Sequence, residues 1–134
     1  MAKIVLTDAK VSINNTDLSD CVTSIDYTEE SEDKDTTTFG TSWRTRVGGL
    51  KQGSVTIDFL QDYASGKVHA TINSLLGTIA TVTIKPTSGS ATATNPQWTI
   101  PVLCTTTQPI MGAVGDLATE SITWPTSGTP TVTS

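Results

Sequence analysis

The chain has few of the residues on which most enzyme active sites depend. It holds one histidine, His69, two cysteines, Cys21 and Cys104, and only 5% aromatic residues. No HExxH or CxxC motif supplies metal ligands at the required spacing, and no G-x-S-x-G turn presents a serine nucleophile. No glycine-rich loop has the spacing of a phosphate-binding motif. We therefore expect no catalytic residue, metal or cofactor, and interpret His69 as a surface or partly packed helix residue.

Long apolar segments are also absent. No run approaches the roughly 20 apolar residues that a membrane-spanning helix needs. The N-terminal "MAKIVLTDAKVSI" lacks the apolar core of a signal peptide. We expect synthesis in a reducing cytosol and no membrane partner. One disulfide between Cys21 and Cys104 is possible, but buried thiols suit that compartment better.

Basic charge is scarce. The net charge is −5, and nine of the thirteen acidic residues precede residue 36, where only three lysines oppose them. Such a balance argues against a nucleic-acid-binding surface, which is basic. An acidic run is commonly a solvated face. Paired carboxylates for glycoside cleavage would need rigid placement and a raised pKa on one member, which a mobile run does not provide.

What the chain has in abundance is threonine, with 27 residues in 134. Threonine is β-branched and suits a pleated, half-buried surface, so we expect one mainly β domain over residues 1–134. Alternating apolar residues predict strands, and a stripe of Val68, Ile72, Leu75 and Leu76 predicts one helix over about 63–76. Residues 88–96 and 108–117 are predicted loops, and 126–134 is a tail that the sequence allows to be flexible. The predicted strands are 3–6, 10–13, 19–27, 53–60, 78–86, 97–104 and 118–125. The order favours a β-sandwich or small barrel with the helix on its flank.

The segment "TEESEDKDTTTFGTSWRTRVGGL", residues 28–50, is the most informative stretch. It contains two aromatic residues, Phe39 and Trp43, with little apolar sequence around them to bury against. A disordered linker would not need these aromatics, and a tight hairpin would not need so many residues. Composition alone predicts a solvated acidic loop here, which explains neither the length of the segment nor its two aromatic residues.

The order of motifs resembles phage major tail tube proteins, particularly small ones from siphophages of actinobacterial hosts. The resemblance is carried by "WRTRVGGLKQGSVTIDF" (43–59), in which a long loop closes on Gly49, Leu50, Lys51, Gly53 and Ser54 before an alternating strand. The helix, Gly77 after it, "NPQW" (95–98) and "PIMGAVGDLATESITWP" (109–125) occur in the order typical of that family.

This resemblance implies a virion protein that forms hexameric rings, which stack into the hollow tail tube that conducts DNA into the host. It implies that 28–50 is a long extended loop, which leaves the body of the subunit as an assembly arm and lies on neighbouring subunits. Phe39 and Trp43 would anchor it, and Arg44 and Arg46 would pair with acidic residues of a neighbour. The implied interface residues are Glu29, Glu30, Glu32, Asp33, Asp35, Phe39, Trp43, Arg44, Arg46 and Leu50. Packing of both aromatics on their own subunit remains open.

The resemblance also implies partners and a location. The partners would be other copies of the chain, the tape measure, the terminator and the distal tail protein. DNA would pass the lumen without specific binding, because acidic walls repel phosphates. The protein would assemble in the host cytoplasm and end in the virion tail. Alternatives are a head–tail connector or terminator, a capsid decoration protein, or an unrelated structural or adhesive β-domain.

Overall fold

Two antiparallel β-sheets form the body of the molecule, in a computed structural model that describes residue 3 and residues 5–133. The strands are β1 (Lys10–Ile13), β2 (Thr16–Asp17), β3 (Val22–Asp35), β4 (Arg46–Leu60), β5 (Ile79–Lys85), β6 (Gln97–Leu103), β7 (Thr119–Pro125) and β8 (Thr131–Thr133). One sheet has the order β2-β1-β5-β6-β8 and the other the order β3-β4-β7. A bridge between Val102 and Thr126 joins the two sheets at one edge. The predicted mainly β sandwich or barrel is confirmed.

The core lies between the sheets and follows the alternation that the sequence shows. Val55, Ile57 and Phe59 of β4 are buried, while the residues between them are partly exposed. Strands β6 and β7 contribute in the same way, and Trp124 is the largest fully buried side chain. The five-stranded sheet and the helical segment complete the core with Val11, Ile13, Val68, Ile72, Ala80, Val82, Ile100 and Val102, and Ile122 of β7 adds to the three-stranded side. The predicted apolar face of 53–60 is therefore correct.

The predicted helix over about 63–76 is wrong in length. The α-helix α1 covers only Val68–Ile72, and a 3-10 turn over Asn73–Leu75 follows it. Gly66 has a φ of +75°, which interrupts a right-handed helix before it begins. Val68 and Ile72 are buried as expected, but Leu76 is 54% exposed. Gly77, with φ +83°, ends the segment in the left-handed conformation that favours glycine after a helix.

The segment 28–50 is extended, as predicted, but it is a paired β-hairpin and not a loop. Strand β3 continues to Asp35 and β4 begins at Arg46, so only residues 36–45 lie outside the strands. The sequence concealed this because strand periodicity depends on one apolar, buried face. Both faces of this hairpin are polar and exposed, so no alternation marks the strands.

The ends of the chain differ in detail from the prediction. Of the predicted strand 3–6, residues 3, 5 and 6 lie outside any strand, and Ile4 lies outside the described residues. The predicted strand 19–27 opens with a 3-10 turn over Ser19–Cys21, and a bulge follows between Val22 and Ser24. Within the tail 126–134, β8 pairs with β6 through Trp98 and Val132.

Both cysteines are free and buried, as the sequence favoured. Cys104 is fully buried, and burial raises the pKa of its thiol to about 11. Burial also raises the pKa of Cys21, with a further contribution from the neighbouring Asp20 carboxylate.

No helix in the described part of the chain is long and apolar enough to span a membrane.

Candidate assembly interface

A two-stranded hairpin projects from the three-stranded sheet and forms the most exposed part of the molecule. Strand β7 ends at Pro125, opposite Ser54, so from there outward β4 pairs with β3 alone. We call residues 28–53 the hairpin arm and residues 36–45 its tip. The eight residues from Arg46 to Gly53 extend the arm roughly 26 Å at about 3.3 Å per residue. Within the described chain, no strand pairs with either outer edge of the arm.

The arm has no core of its own. Every residue from 28 to 50 is exposed except Glu32, which is half-buried. An isolated two-stranded hairpin is marginally stable in water, because it buries little apolar surface. Contact with another surface would therefore stabilise the ordered conformation of the arm.

The apolar residues of the arm have no intramolecular burial. Phe39 is 105% exposed, Trp43 83% and Leu50 78%, and Val47 is also exposed. The alternative that Phe39 and Trp43 pack on their own subunit is thus not what the structure shows. Large aromatic side chains concentrate binding energy when an interface buries them. Phe39, Trp43 and Leu50 all belong to the hairpin arm. Phe39 and Trp43 are at its tip, and Leu50 is on its stem.

Threonine side chains hold the tip in a defined turn. The Thr36 N–H donates to the Thr45 carbonyl at 2.8 Å, and the hydroxyls of the same two residues lie 2.7 Å apart. The Thr41 hydroxyl donates to the Thr38 carbonyl at 2.9 Å. Gly40, with φ +90°, turns the chain between Phe39 and Trp43. The tip therefore presents both aromatics from an ordered turn.

The charged residues of the arm pair across the hairpin. Arg44 Nη1 lies 2.9 Å from Asp35 Oδ2, and Arg46 forms an ion pair with Asp33. Lys34 Nζ lies 3.0 Å from Glu32 Oε2 along the same strand. The sequence resemblance implies that the arginines reach acidic residues of a neighbour, whereas in the single subunit they contact their own arm. Pairs this exposed contribute little to stability, so they remain able to exchange partners.

The remaining two acids have no such partner. Glu29 and Glu30 make no ion pair with any described residue. At the tip end, hydrogen bonds from the hydroxyl and N–H of Thr37, together with Arg44, lower the pKa of Asp35. The five acids of the implied interface are therefore distributed along the stem of the arm and do not form one cluster.

A second exposed apolar surface lies in the loop between β6 and β7. We call residues 105–118 the β6–β7 loop. Ile110 is 86% exposed, Val114 106% and Leu117 69%, and Met111 is also exposed. The sequence analysis predicted a loop over residues 108–117 but missed its exposed apolar surface. The available signal was four large apolar residues without strand or helix periodicity.

The β6–β7 loop is fixed at its start by hydrogen bonds to the body of the subunit. The Trp124 indole N–H donates to the Thr106 carbonyl at 2.9 Å, and the buried Glu120 carboxylate accepts from the Gln108 N–H at 3.1 Å. The Tyr63 hydroxyl donates to the Pro109 carbonyl at 2.7 Å. The exposed apolar residues thus follow an anchored stretch of backbone.

An apolar groove lies at the base of the arm. The rings of Tyr27 and Trp98 are 5.7 Å apart and tilted by 59°, and Leu6, Ile25 and Ile84 line the groove beside them. The Tyr27 hydroxyl is buried without a hydrogen-bond partner among the described residues. Burial, with a smaller contribution from Glu29, raises the pKa of Tyr27.

The described residues contain no candidate metal centre. None of their His, Cys, Asp and Glu side chains form a group of three or more that could hold a metal ion. His69 lies half-buried in α1 with its ring 5.2 Å from the ring of Tyr63, as the prediction of a partly packed helix residue requires.

Comparison with known proteins gives structural matches only. No protein-family model and no curated protein matches the sequence. A chain in the virion of a native gene transfer agent particle matches with a TM-score of 0.79 and 14% identity, over 98% of this chain and 100% of that one. A chain from the tail of an empty gene transfer agent particle, refined with C6 symmetry, matches with a TM-score of 0.68 and 14% identity, over 85% and 83%.

A third structure extends the likeness to a component of another particle. A chain of the anti-feeding prophage baseplate, 6-fold symmetrised, matches with a TM-score of 0.54 and 10% identity, over 99% of this chain and 97% of that one. At identities this low the likeness establishes the fold. The chain therefore has the β-sandwich fold found in the virion and tail of these particles.

Proposed function

We propose that the chain is a structural virion protein, the repeating subunit of a tail tube. Six copies form a ring, and rings stack head-to-tail into a hollow tube through which DNA passes. The observation that carries this proposal is the hairpin arm, which extends roughly 26 Å beyond the three-stranded sheet with Phe39 and Trp43 uncovered at its tip. The fold shared with chains of particle virions and tails supports it.

The arm explains how one fold builds a long assembly. A contact between two different surfaces of the same subunit repeats without closing and so gives an open filament. The arm is such a surface, because it leaves the body and its apolar tip has no place on its own subunit. Ring symmetry of six is proposed from the symmetry of the tail and baseplate structures that share the fold.

Charge is consistent with a conduit. The net charge of −5 would repel DNA phosphates from the wall and avoid the retention that a basic lumen produces. We assign the protein no catalytic role, and we place it in the virion tail after assembly in the host cytoplasm. Its other partners would be the tape measure, terminator and distal tail proteins.

Negative-stain electron microscopy of the purified protein over rising concentration tests the proposal. We expect monomers or single rings at low concentration and long tubes of stacked rings at high concentration. Rings that never stack would indicate a connector or terminator instead. A protein that stays monomeric at high concentration would contradict self-assembly altogether.

A further inference from the structure

The tip of the arm and the β6–β7 loop lie at opposite ends of one strand. Arg46, at the start of β4, adjoins the tip, while Leu60, at its end, pairs with Thr119 next to the β6–β7 loop. The fifteen residues of β4 span roughly 50 Å. The two segments therefore cannot contact each other within one subunit, but a head-to-tail neighbour can bring them together.

Both segments expose large apolar side chains. The tip offers Phe39 and Trp43, and the loop offers Ile110, Val114 and Leu117, all more than two-thirds exposed. Single exposed apolar residues are ordinary on a protein surface, but a cluster usually marks an interaction site. Aromatic anchors that enter an aliphatic surface are the chemistry typical of interface hot spots.

The charges of the two segments are complementary. Arg44 is the one charged residue of the tip, residues 36–45, and Asp116 is the one charged residue of the β6–β7 loop. The Arg44 guanidinium has five N–H donors, and its contact with Asp35 is made through Nη1. It can therefore keep Asp35 and also meet a carboxylate of another subunit.

The backbone of the β6–β7 loop is ordered by hydrogen bonds before any partner binds. Its first residues are held by Trp124, by the buried Glu120 carboxylate and by Tyr63. The Asp116 N–H donates to the Ala113 carbonyl at 2.9 Å, which closes a turn around Val114. Anchoring of this kind reduces the conformational entropy lost on binding.

We propose that the tip of one subunit docks on the β6–β7 loop of a second copy in the next ring, with Phe39 and Trp43 against Val114 and Leu117 and Arg44 facing Asp116. This inference rests on the proposed tube function and names its ring-to-ring contact. Because the two surfaces differ, the contact repeats in one direction and gives the tube a polarity.

Site-directed disulfide cross-linking tests the contact. Ser42→Cys lies in the tip and Ala113→Cys in the loop, and neither change removes an apolar anchor or a charge. An isotope-labelled Ser42→Cys protein is mixed with unlabelled Ala113→Cys protein under assembly conditions and mild oxidation. We expect a disulfide between a labelled and an unlabelled chain wherever a Ser42→Cys tip meets an Ala113→Cys loop, identified by mass spectrometry. The wild-type protein gives the background from the buried Cys21 and Cys104.

A second acceptor position separates the proposed site from the groove at the base of the arm. Thr129→Cys lies in a neighbouring pocket, which shares Tyr27 and Trp98 with that groove. The contact would be overturned if the tip cross-linked to the Thr129→Cys protein and not to the Ala113→Cys protein. Cross-linking to neither protein in tubes that form normally would also overturn it, and both results would leave the tube function intact. Failure of the wild-type protein to form tubes would overturn both proposals.

Charge reversal gives an independent readout in assembly. Arg44→Glu or Asp116→Lys alone should raise the critical concentration for tube formation about tenfold, because each change sets like charges together. The double variant should return it to within about threefold of wild type. Arg46→Glu is the matched control, since it makes the same charge change on the stem, and Asp116→Lys should not rescue it. Equal rescue of both arginine variants would contradict the pairing of Arg44 with Asp116.

Discussion

Gly53 and Thr126 exchange two hydrogen bonds at the point where the hairpin arm leaves the body. The Thr126 N–H donates to the Gly53 carbonyl at 3.0 Å, and the Gly53 N–H donates to the Thr126 Oγ1 at 3.1 Å. Strand β7 ends one residue earlier, at Pro125, so these bonds are the last link between the arm and the body on that side of β4. The direction in which the arm projects therefore depends on this pair.

Gly53→Ala should destabilise the base of the arm. A Cβ at Gly53 would lie 2.5 Å from the Thr28 carbonyl oxygen, which is backbone and cannot move aside. We expect the free energy of unfolding to fall by about 1–3 kcal/mol, the usual cost of overpacking. Thermal or chemical denaturation of the single subunit measures this.

Gly48→Ala is the matched control for that substitution. Gly48 lies farther along the same strand, and its added Cβ would meet the Ser31 hydroxyl at 3.0 Å, a side chain that can rotate. Its unfolding free energy should stay within about 0.5 kcal/mol of wild type. Equal losses of unfolding free energy at both positions would show that the effect does not depend on the close approach to the Thr28 carbonyl.

Replacing the arm should separate folding from assembly. Glu29 and Gly53 lie directly opposite each other in the hairpin, so Glu30–Gln52 can be replaced by a two-residue Asn-Gly turn without changing the strand register below it. The shortened protein keeps the whole core and the Gly53–Thr126 bonds. We expect a β-rich circular dichroism spectrum, a cooperative thermal transition and no tubes.

A double substitution at the tip is the control for the shortened protein. Phe39→Ser with Trp43→Ser leaves the arm at full length and removes only side chains that are exposed in the single subunit. Its stability should match wild type, and it too should form no tubes, because the anchors are gone. Normal tubes from either variant would refute the role of the arm in stacking.

The sequence predicted those parts of the fold in which one face of a strand is buried. Val55, Ile57 and Phe59 alternate with polar residues because one side of β4 meets the core, and the pattern is readable for that reason. The same strand continues to Arg46 without alternation, since neither face of the arm is covered in the single subunit. The local pattern therefore marked the buried part of β4 but did not reveal the strand pairing within the arm.

The exposure of Phe39 and Trp43 was predictable from the sequence, but the geometry of the arm was not. Phe39 and Trp43 stood out because nothing near them in sequence could bury them, and the structure leaves them exposed. The pairs Arg44–Asp35 and Arg46–Asp33 depend on hairpin register, which the polar stem does not encode in an apolar pattern. The exposure of Val114 and Leu117 depends on where the β6–β7 loop leaves the core, a tertiary property.

Tyr27→Phe should leave the single subunit as stable as wild type or more stable. The Tyr27 hydroxyl is buried without a partner among the described residues, so its removal relieves a desolvation cost without breaking a hydrogen bond. We expect a gain of up to about 1 kcal/mol in the free energy of unfolding. Trp98→Phe, which changes the ring packed beside Tyr27, is the comparison and should be destabilising. In Tyr27→Phe, a loss of more than about 1 kcal/mol would reveal a hydrogen bond to that hydroxyl.

Alkaline pH should destabilise the fold through Cys104. Burial raises the pKa of this thiol from the ordinary 9.0 to about 11, so the folded state holds its proton where the unfolded state has lost it. A raised pKa contributes stability that is complete below pH 9 and is lost as the pH rises towards 11, by up to about 2–3 kcal/mol. The measurement is urea denaturation between about pH 8 and pH 11 for wild type and for Cys104→Ala, in which the lysines titrate identically and only this thiol is missing. The difference between the two proteins in the slope of unfolding free energy against pH isolates Cys104, and parallel curves would show that the thiol titrates alike in the folded and unfolded states.

Thiol reagents at about pH 8 should correspondingly label Cys104 only after unfolding, because it is fully buried.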